Sequence, residues 1–142
     1  MATVREMMSG NPESIDADAT VQDAARIMQD LNVGSVPVLA GGRVAGIVTD
    51  RDITIRVIAE NRSPAKVPVR EIATADPLTV SPNTDVNTAA ELMAKHQVRR
   101  LPVVDDGKLV GMLSLGDVSV EGDSREAGRA FKDISVPAEP AR

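Results

Sequence analysis

The chain has 142 residues, of which 16 are basic and 21 are acidic, so its formal net charge is −5 at neutral pH. This excess of acid repels nucleic-acid phosphates, and the single aromatic residue, Phe131, cannot supply the stacking surfaces that single-stranded bases need. The absence of cysteine excludes disulfides, thiolate metal sites and cysteine nucleophiles. We therefore expect no nucleic-acid partner and no cysteine-based reaction.

The beginning of the chain shows no targeting pattern. A secretory signal has a basic segment followed by an apolar stretch, and MATVREMMSG has no such arrangement. No apolar run reaches the length of about 18 residues that crosses a bilayer. The sequence therefore predicts a cytoplasmic protein without a membrane partner.

The most informative feature is an internal repeat. Residues 4–55 align with residues 69–120 without a gap, at a constant offset of 65 positions, and 14 of the 52 aligned pairs are identical. A repeat of this length is a whole supersecondary unit, and two copies are too few for a solenoid. We expect a pair packed with pseudo-two-fold symmetry. The predicted division is repeat 1 at 1–60, a linker at 61–68, repeat 2 at 69–121 and a partly disordered tail at 122–142.

Each repeat is predicted to begin with a helical turn, a brief strand and a longer helix. The helix is indicated by apolar residues at helical spacing, and Thr20 and Asp85 precede the two helices as N-caps. The expected positions are 4–8, 13–16 and 21–31 in the first repeat, and 69–73, 78–81 and 86–93 in the second.

A β-hairpin follows in each repeat. Short apolar runs rich in β-branched residues flank glycine-containing turns, which is typical of tight hairpins. The expected strands are 36–39 and 44–48 in the first repeat, and 101–104 and 109–113 in the second. Pro37 and Pro102 lie in the first strand of each hairpin. Because proline cannot donate to a ladder, we expect this strand to be an edge strand or to be broken there.

The last predicted helix begins near Asp50 in the first repeat and near Leu115 in the second. In the first repeat its apolar positions continue through Ile58. The resulting order is helix, strand, helix, strand, strand, helix, repeated twice, which indicates an α/β fold. In the tail, residues 124–133 are predicted to form a helix, and the Pro/Ala-rich end is expected to fray.

The same motif, G-x-x-[ST]-x-x-D, spans the junction of the last strand and the last helix in both repeats. A helix start favours an anion because of its free N–H groups and its positive dipole end. The hydroxyls of Thr49 and Ser114 add a hydrogen bond for a phosphate. The carboxylates of Asp52 and Asp117 can accept two hydrogen bonds from a ribose diol, as acidic residues do in dinucleotide folds. The motif therefore indicates a phosphorylated sugar as ligand.

The same residues have a second interpretation, which the sequence leaves open. The pattern [ST]-x-x-[DE] is also a capping box, in which the two side chains satisfy N–H groups of their own helix. Thr20 and Asp23 show this pattern on a helix that has no ligand signal. A duplicated helix cap would repeat just as a duplicated ligand site would.

Several features together resemble a known family. The Val-Pro-Val hairpin strand, the segment HQVRRLPV and the two motifs occur in matching order and resemble a tandem pair of CBS domains, a Bateman module. The resemblance covers roughly residues 3–121 and includes small stand-alone pairs of the hypoxic-response type. It implies two clefts that bind adenosine compounds. It also implies that Thr49 and Ser114 contact phosphate, and that Asp52 and Asp117 contact ribose hydroxyls.

The resemblance further implies that the base is held by backbone and aliphatic groups at the short first strand and the start of the hairpin. We expect these groups to come from the opposite repeat in each cleft. The motif of Thr49 and Asp52 would then face Thr79, Val80, Val98, Arg99, Arg100 and Leu101. The motif of Ser114 and Asp117 would face Ser14, Ile15 and residues 33–36, including Val36.

The two predicted clefts differ in charge. Arg51 lies inside the first motif, and Arg99 and Arg100 are expected to face it, so three guanidinium groups that suit phosphate would gather there. The other cleft would be nearly uncharged. We therefore predict that the first cleft binds a phosphorylated nucleotide more tightly. The alternative is that these arginines form a solvated edge or pair with nearby carboxylates.

No residue pattern indicates catalysis. The single histidine, His96, is expected at a helix end, and neither a metal-ligand set nor a nucleophile-elbow motif accompanies it. We predict a non-catalytic regulatory module that requires no cofactor and senses AMP, ADP or ATP, forms a homodimer and acts on a protein target in trans. Two alternatives remain open: a ligand-free scaffold whose motifs are only helix caps, and a small enzyme.

Overall fold

The computed structural model describes residues 2–121, which fall into two compact units. One unit, here called the central unit, consists of Glu13–Pro77. The other, here called the terminal unit, combines residues 2–12 with residues 78–121. The predicted helix in the tail at 124–133 lies outside the described residues.

The central unit contains a four-stranded sheet with the order β2-β3-β4-β5. Strand β2 runs parallel to β3, and the β3–β4 and β4–β5 pairs are antiparallel. In chain order its elements are β2 (Ile15–Asp16), α2 (Val21–Leu31), β3 (Ser35–Ala40), β4 (Arg43–Thr49), α3 (Asp50–Ile53), a π-helical segment (Thr54–Ile58), a 3₁₀ turn (Val69–Glu71) and β5 (Thr74–Ala75).

The terminal unit contains a three-stranded antiparallel sheet with the order β1-β7-β6. A single parallel bridge joins Val80 to Val103 where the sequence predicts a strand. In chain order its elements are α1 (Val4–Met7), β1 (Ser9–Gly10), α4 (Val86–His96), β6 (Arg100–Asp105), β7 (Lys108–Ser114) and α5 (Leu115–Glu121). The predicted α/β repeat is therefore confirmed.

The long helices α2 and α4 occupy matching positions and have 11 residues each. The Thr20 side chain accepts a hydrogen bond from the backbone N–H of Asp23, and the Asp85 side chain accepts one from Asn87. Both predicted N-caps are thus present, and each satisfies a backbone donor that the helix leaves unpaired. Met28 on α2 and Met93 on α4 lie on the buried faces of these helices.

Both hairpins close with two-residue turns in which both central residues have positive φ, at Gly41–Gly42 and Asp106–Gly107. This backbone matches the right-handed twist of the flanking strands. Strand β6, which contains Pro102, is an edge strand of its sheet, as predicted. Strand β3, which contains Pro37, is an interior strand instead. Proline is tolerated there because β2 pairs only with the next two residues, where the β3–β4 register shifts.

Each unit has its own apolar core, and each core includes the opening turn of the other sequence repeat. Val69 and Ile72 belong to the second repeat by sequence, yet they are buried in the central unit with Val21 and Val48. Val4 is buried in the terminal unit. The division into compact units therefore crosses the division into repeats, which the alignment alone did not indicate.

The closest backbone approach to a glycine occurs between β4 and β5. A methyl group at Gly46 would lie 2.6 Å from the carbonyl oxygen of Thr74, which is backbone and cannot move aside. At Gly10 nothing lies within 4 Å of such a methyl group. We expect Gly46→Ala to lower the free energy of unfolding by about 1–3 kcal/mol, as overpacking does, and Gly10→Ala to change it by less than about 0.5 kcal/mol. Urea denaturation of both variants checks this, and equal stabilities would contradict it.

Candidate functional site

The first motif folds as a complete capping box at the start of α3. The Thr49 hydroxyl oxygen accepts a hydrogen bond from the Asp52 backbone N–H at 3.0 Å. In return, the Thr49 backbone N–H donates to Asp52 Oδ2 at 3.0 Å. The two side chains thus satisfy two backbone donors reciprocally. Both hydrogen bonds that the helix-cap interpretation requires are therefore present in the structure.

The second motif has the same geometry at the start of α5. The Ser114 backbone N–H donates to Asp117 Oδ2 at 2.9 Å, and the Asp117 N–H donates to the Ser114 hydroxyl oxygen at 3.2 Å. Just before each box, a further hydrogen bond joins the start of the hairpin to the start of the helix. Asp50 N–H donates to the Gly34 carbonyl at 2.9 Å, and Leu115 N–H donates to the Arg99 carbonyl at 2.8 Å.

Capping does not use up the hydrogen-bonding capacity of these groups. Each hydroxyl oxygen accepts a bond from a backbone N–H, so its own proton can still be donated. Each carboxylate uses Oδ2 for the box, and Oδ1 lies outside it. Asp52 and Asp117 are half-buried, so solvent still reaches them. The cap interpretation and the ligand interpretation are therefore compatible with one another.

The charged surroundings of the two motifs differ. Beside the first motif, Arg56 Nε lies 3.9 Å from Asp52 Oδ1. Arg51 is exposed on α3, and its backbone N–H donates to Asp50 Oδ1 at 2.8 Å. Arg51 is among the residues predicted for this site and Arg56 is not, although a carboxylate and an arginine four positions apart on a helix are a recognisable pair.

Arg100 lies beside the second motif, within the same unit. It is the cross-strand partner of Ser114. Partial burial lowers the pKa of the Arg100 guanidinium, and the Asp117 carboxylate opposes that shift. Arg100 therefore places a positive charge beside the second motif within its own unit, whereas the predicted charge difference between the two clefts stays a prediction. The position equivalent to Arg100 in the first repeat holds Ser35, which pairs with Thr49.

Comparison with known proteins identifies the repeat. The sequence matches the CBS domain family twice, over residues 4–58 and residues 69–121. The chain belongs to the CBS domain family. Its two copies make it a CBS pair, as the sequence motifs predicted, and both capping boxes fall within the matched segments.

Three similar proteins illustrate the range of the family. The CBS domain-containing protein YhcV of Bacillus subtilis is 40% identical over 136 residues, which cover 95% of this chain and 96% of YhcV. Hypoxic response protein 1 of Mycobacterium tuberculosis is 30% identical over 120 residues, which cover 84% of each chain. A solved structure of CBSX2 in complex with AMP has a TM-score of 0.74 and 30% identity, and the match covers 84% of this chain and 95% of CBSX2.

The aliphatic residues predicted to hold a base have their side chains in the cores of the CBS pair. Ile15 and Val36 are buried in the core of the central unit, and Val80 and Leu101 are buried in that of the terminal unit. Val98 packs partly against the latter core. Contact with a ligand through these five residues would therefore rely mainly on backbone groups.

The predicted polar contacts are more accessible. Ser14 and Thr79 each precede one of the buried aliphatic residues and are half-buried, and Arg99 is exposed. The structure places Ser14 with the first motif in the central unit, and Thr79 and Arg99 with the second motif in the terminal unit. Their predicted contact with the motif of the opposite repeat remains a prediction.

The glycine of each motif has a structural role that the sequence did not reveal. Gly46 gives space to the Thr74 carbonyl of β5, and Gly111 gives space to the Met8 side chain and the Ser9 carbonyl. Each glycine therefore allows the last hairpin strand to pair with a two-residue strand.

An apolar cavity of about 390 Å³ lies in the central unit. Its lining residues are Val21, Gln22, Ala25, Ile53, Ile58, Ser63, Pro64 and Ala65. Within residues 2–121, no three acidic or histidine side chains cluster in a way that would hold a metal ion. In that same part of the chain, no helix has the length and apolar character needed to span a bilayer.

Proposed function

We propose that this CBS pair is a non-catalytic regulatory module that binds an adenosine nucleotide, AMP, ADP or ATP, at its two G-x-x-[ST]-x-x-D motifs. The observation that carries the proposal is the hydrogen-bonding capacity that both capping boxes leave over: one hydroxyl proton and one carboxylate oxygen each. A similar protein, CBSX2, has been solved with AMP bound. The module itself requires no cofactor.

In this proposal Thr49 and Ser114 donate to phosphate oxygens, and Asp52 and Asp117 accept from the ribose diol. Ser14 and Thr79 supply polar contacts, while Ile15, Val36, Val80, Val98 and Leu101 contribute through the backbone.

Arg51, Arg99 and Arg100 balance the phosphate charge. Because Arg100 interacts with Asp117, phosphate binding is also expected at the second motif.

A second candidate function, a ligand-free scaffold, is favoured by one specific observation. Both capping boxes are complete without any ligand, so a cap role is sufficient to explain the motifs. Thr20 provides the matched comparison, because its hydroxyl caps α2 in the same way and belongs to no proposed site.

We expect Thr49→Ala and Thr20→Ala each to lower the melting temperature of the ligand-free protein, since loss of a cap costs about 0.5–2 kcal/mol. Only Thr49→Ala should reduce the additional stabilisation that nucleotide provides. Thermal melts with AMP, ADP, ATP and S-adenosylmethionine, on the wild type and both variants, test this. Absence of stabilisation by every one of these ligands would favour the scaffold function over nucleotide binding.

Binding would change the equilibrium between conformations of the module and so regulate a protein target in trans. A homodimer through the helices that flank the motifs is part of the proposal. Its support is the exposure of three large apolar side chains: Ile55 and Ile58 on the π-helical segment and Leu31 on α2. Burial of apolar side chains drives association. The cytoplasmic location predicted from the sequence likewise remains a prediction.

A further inference from the structure

Both oxygens of the Asp52 carboxylate are oriented by contacts within the central unit. Oδ2 accepts the hydrogen bond from Thr49 N–H, and Oδ1 lies 3.9 Å from Arg56 Nε. The Asp52 side chain is only 12% exposed, so a ligand hydroxyl would meet the carboxylate in the orientation that these contacts impose. Within the central unit, Arg56 is therefore the cation that pairs with the group proposed to bind ribose.

Arg56 is itself fixed from a second direction. Its Nη1 donates to the backbone carbonyl of Ile72 at 2.9 Å. Ile72 is fully buried and directly follows the 3₁₀ turn, so this carbonyl is a rigid acceptor. Arg56 lies in the π-helical segment, and wide turns of this kind occur frequently at functional sites. One guanidinium group thus contacts both the motif carboxylate and the chain at Ile72.

The chain at Ile72 leads out of the central unit. Residues 72–77, here called the crossover segment, connect the core residue Ile72 to Leu78, where the terminal unit resumes. The segment includes β5, which pairs with β4 at Thr74 and Ala75. Strand β4 ends at Thr49. The crossover segment is therefore held by the strand of the first motif and by the arginine of its helix.

The second motif cannot repeat this arrangement. The position equivalent to Arg56 holds Glu121, which has the opposite charge. The cation that interacts with Asp117 is instead Arg100, on strand β6. The two CBS repeats thus share the capping box but differ in the element that supplies its counter-charge.

We propose that Arg56 is a positioning residue that orients the Asp52 carboxylate for a ribose diol and couples occupancy of the first site to the crossover segment. This inference rests on the proposed function. When a ligand hydroxyl donates to Asp52 Oδ1, that oxygen is shared between the ligand and Arg56. The ligand then weakens the ion pair between Asp52 and Arg56, the guanidinium shifts at the Ile72 carbonyl to which it donates, and the crossover segment responds.

The test uses the whole chain, and every variant carries Asp117→Asn. This substitution removes the carboxylate of the second site, so that binding at the first site, through Asp52, is measured. AMP affinity is measured by calorimetry, and amide hydrogen exchange of residues 72–77 is measured with and without saturating AMP. We expect Arg56→Gln to raise the AMP dissociation constant about three- to five-fold, as loss of a partly exposed ion pair does. It should also abolish the AMP-dependent change in exchange at 72–77.

Arg62→Gln is the matched control, because Arg62 pairs with Glu71 at 2.8 Å and does not belong to the motif. It removes the same charge and should change neither measurement. Arg56→Lys keeps the charge and should bind AMP with intermediate affinity, which provides a second variant if Arg56→Gln unfolds. If the Arg56 and Arg62 variants behave alike while AMP still binds, the proposed role of Arg56 is overturned and the proposed function is not. Absence of AMP, ADP and ATP binding to the unsubstituted chain overturns the proposed function and this inference together.

Discussion

The double variant Asp52→Asn/Asp117→Asn is expected to lose the stabilisation that AMP provides while its fold stays intact. At a free nucleotide concentration of 100 times Kd, binding should stabilise the wild type by about 2.7 kcal/mol. Asparagine retains one carbonyl oxygen, which can still accept from the backbone N–H of Thr49 or Ser114. Its amide group cannot accept from the ribose diol. Loss of a charged hydrogen bond costs about 1.5–3 kcal/mol, or about 10- to 150-fold in Kd.

Differential scanning fluorimetry over a series of AMP concentrations measures this loss. Asp85→Asn is the matched control, because Asp85 also caps a helix, accepting from Asn87 N–H at 2.7 Å, and lies in no motif. Because asparagine keeps the capping acceptor, this variant should leave both the melting temperature in the absence of ligand and the AMP-dependent increase nearly unchanged. If the double variant were stabilised by AMP as much as the wild type, the two carboxylates would not be the ribose contacts.

The structure also determines which substitution is informative here. Alanine at Asp52 would remove the ribose acceptor and, at the same time, the hydrogen bond to Thr49 N–H. Loss of that capping contact costs stability of its own. A fall in nucleotide stabilisation would then combine two causes. Asparagine separates them because it preserves the acceptor that the helix needs.

The sequence was sufficient to predict those elements whose formation depends on local interactions. Helix α2 begins after Thr20 and ends at Leu31, as the cap and the apolar spacing indicate. The hairpin turns have positive φ at the glycines, which is the backbone that a two-residue connection requires. These features depend on neighbouring residues, so the sequence contains the information needed to predict them.

Features that depend on distant residues could not be predicted in this way. Strands β1 and β5 have two residues each, which is too short for an alternating pattern. They form because β7 and β4 each offer a backbone edge with which they can pair. Pro37 lies in an interior strand because β2 stops short of it. The 3₁₀ turn could pack against its own repeat or against the other repeat. Tertiary contacts, which the local sequence does not show, decide between the two.

In the candidate site, too, the features that depend on neighbouring residues could be predicted and those that depend on distant residues could not. The capping boxes and their residues were visible as a local pattern, and the structure contains both hydrogen bonds of each box. The pair of Asp52 and Arg56 was visible as a helical spacing. The bond from Arg56 to the Ile72 carbonyl spans 16 positions and was not visible. The sequence therefore indicated the groups that could bind a ligand, whereas the group that holds one of them in place required the structure.

A substitution at Ile72 tests whether the second repeat contributes to the core of the central unit. It belongs to the second repeat by sequence, but its side chain is 0% exposed and packs in the core of the central unit. We expect Ile72→Ala to lower the free energy of unfolding by about 2–5 kcal/mol, because it removes buried methyl groups and leaves a cavity. This is a large fraction of the total of about 5–15 kcal/mol that is typical of a folded protein.

The matched control for Ile72→Ala is Ile58→Ala, which deletes the same atoms from a side chain that is 58% exposed. We expect that variant to change the stability of the monomer by less than about 0.5 kcal/mol. Urea denaturation followed by circular dichroism at low protein concentration compares the two. Similar midpoints would mean that the opening turn of the second repeat does not complete the central core. A large loss for Ile72→Ala alone would show that the first sequence repeat does not contain all of its own core. An excised first repeat, residues 4–58, would lack Val69 and Ile72 and should not fold by itself.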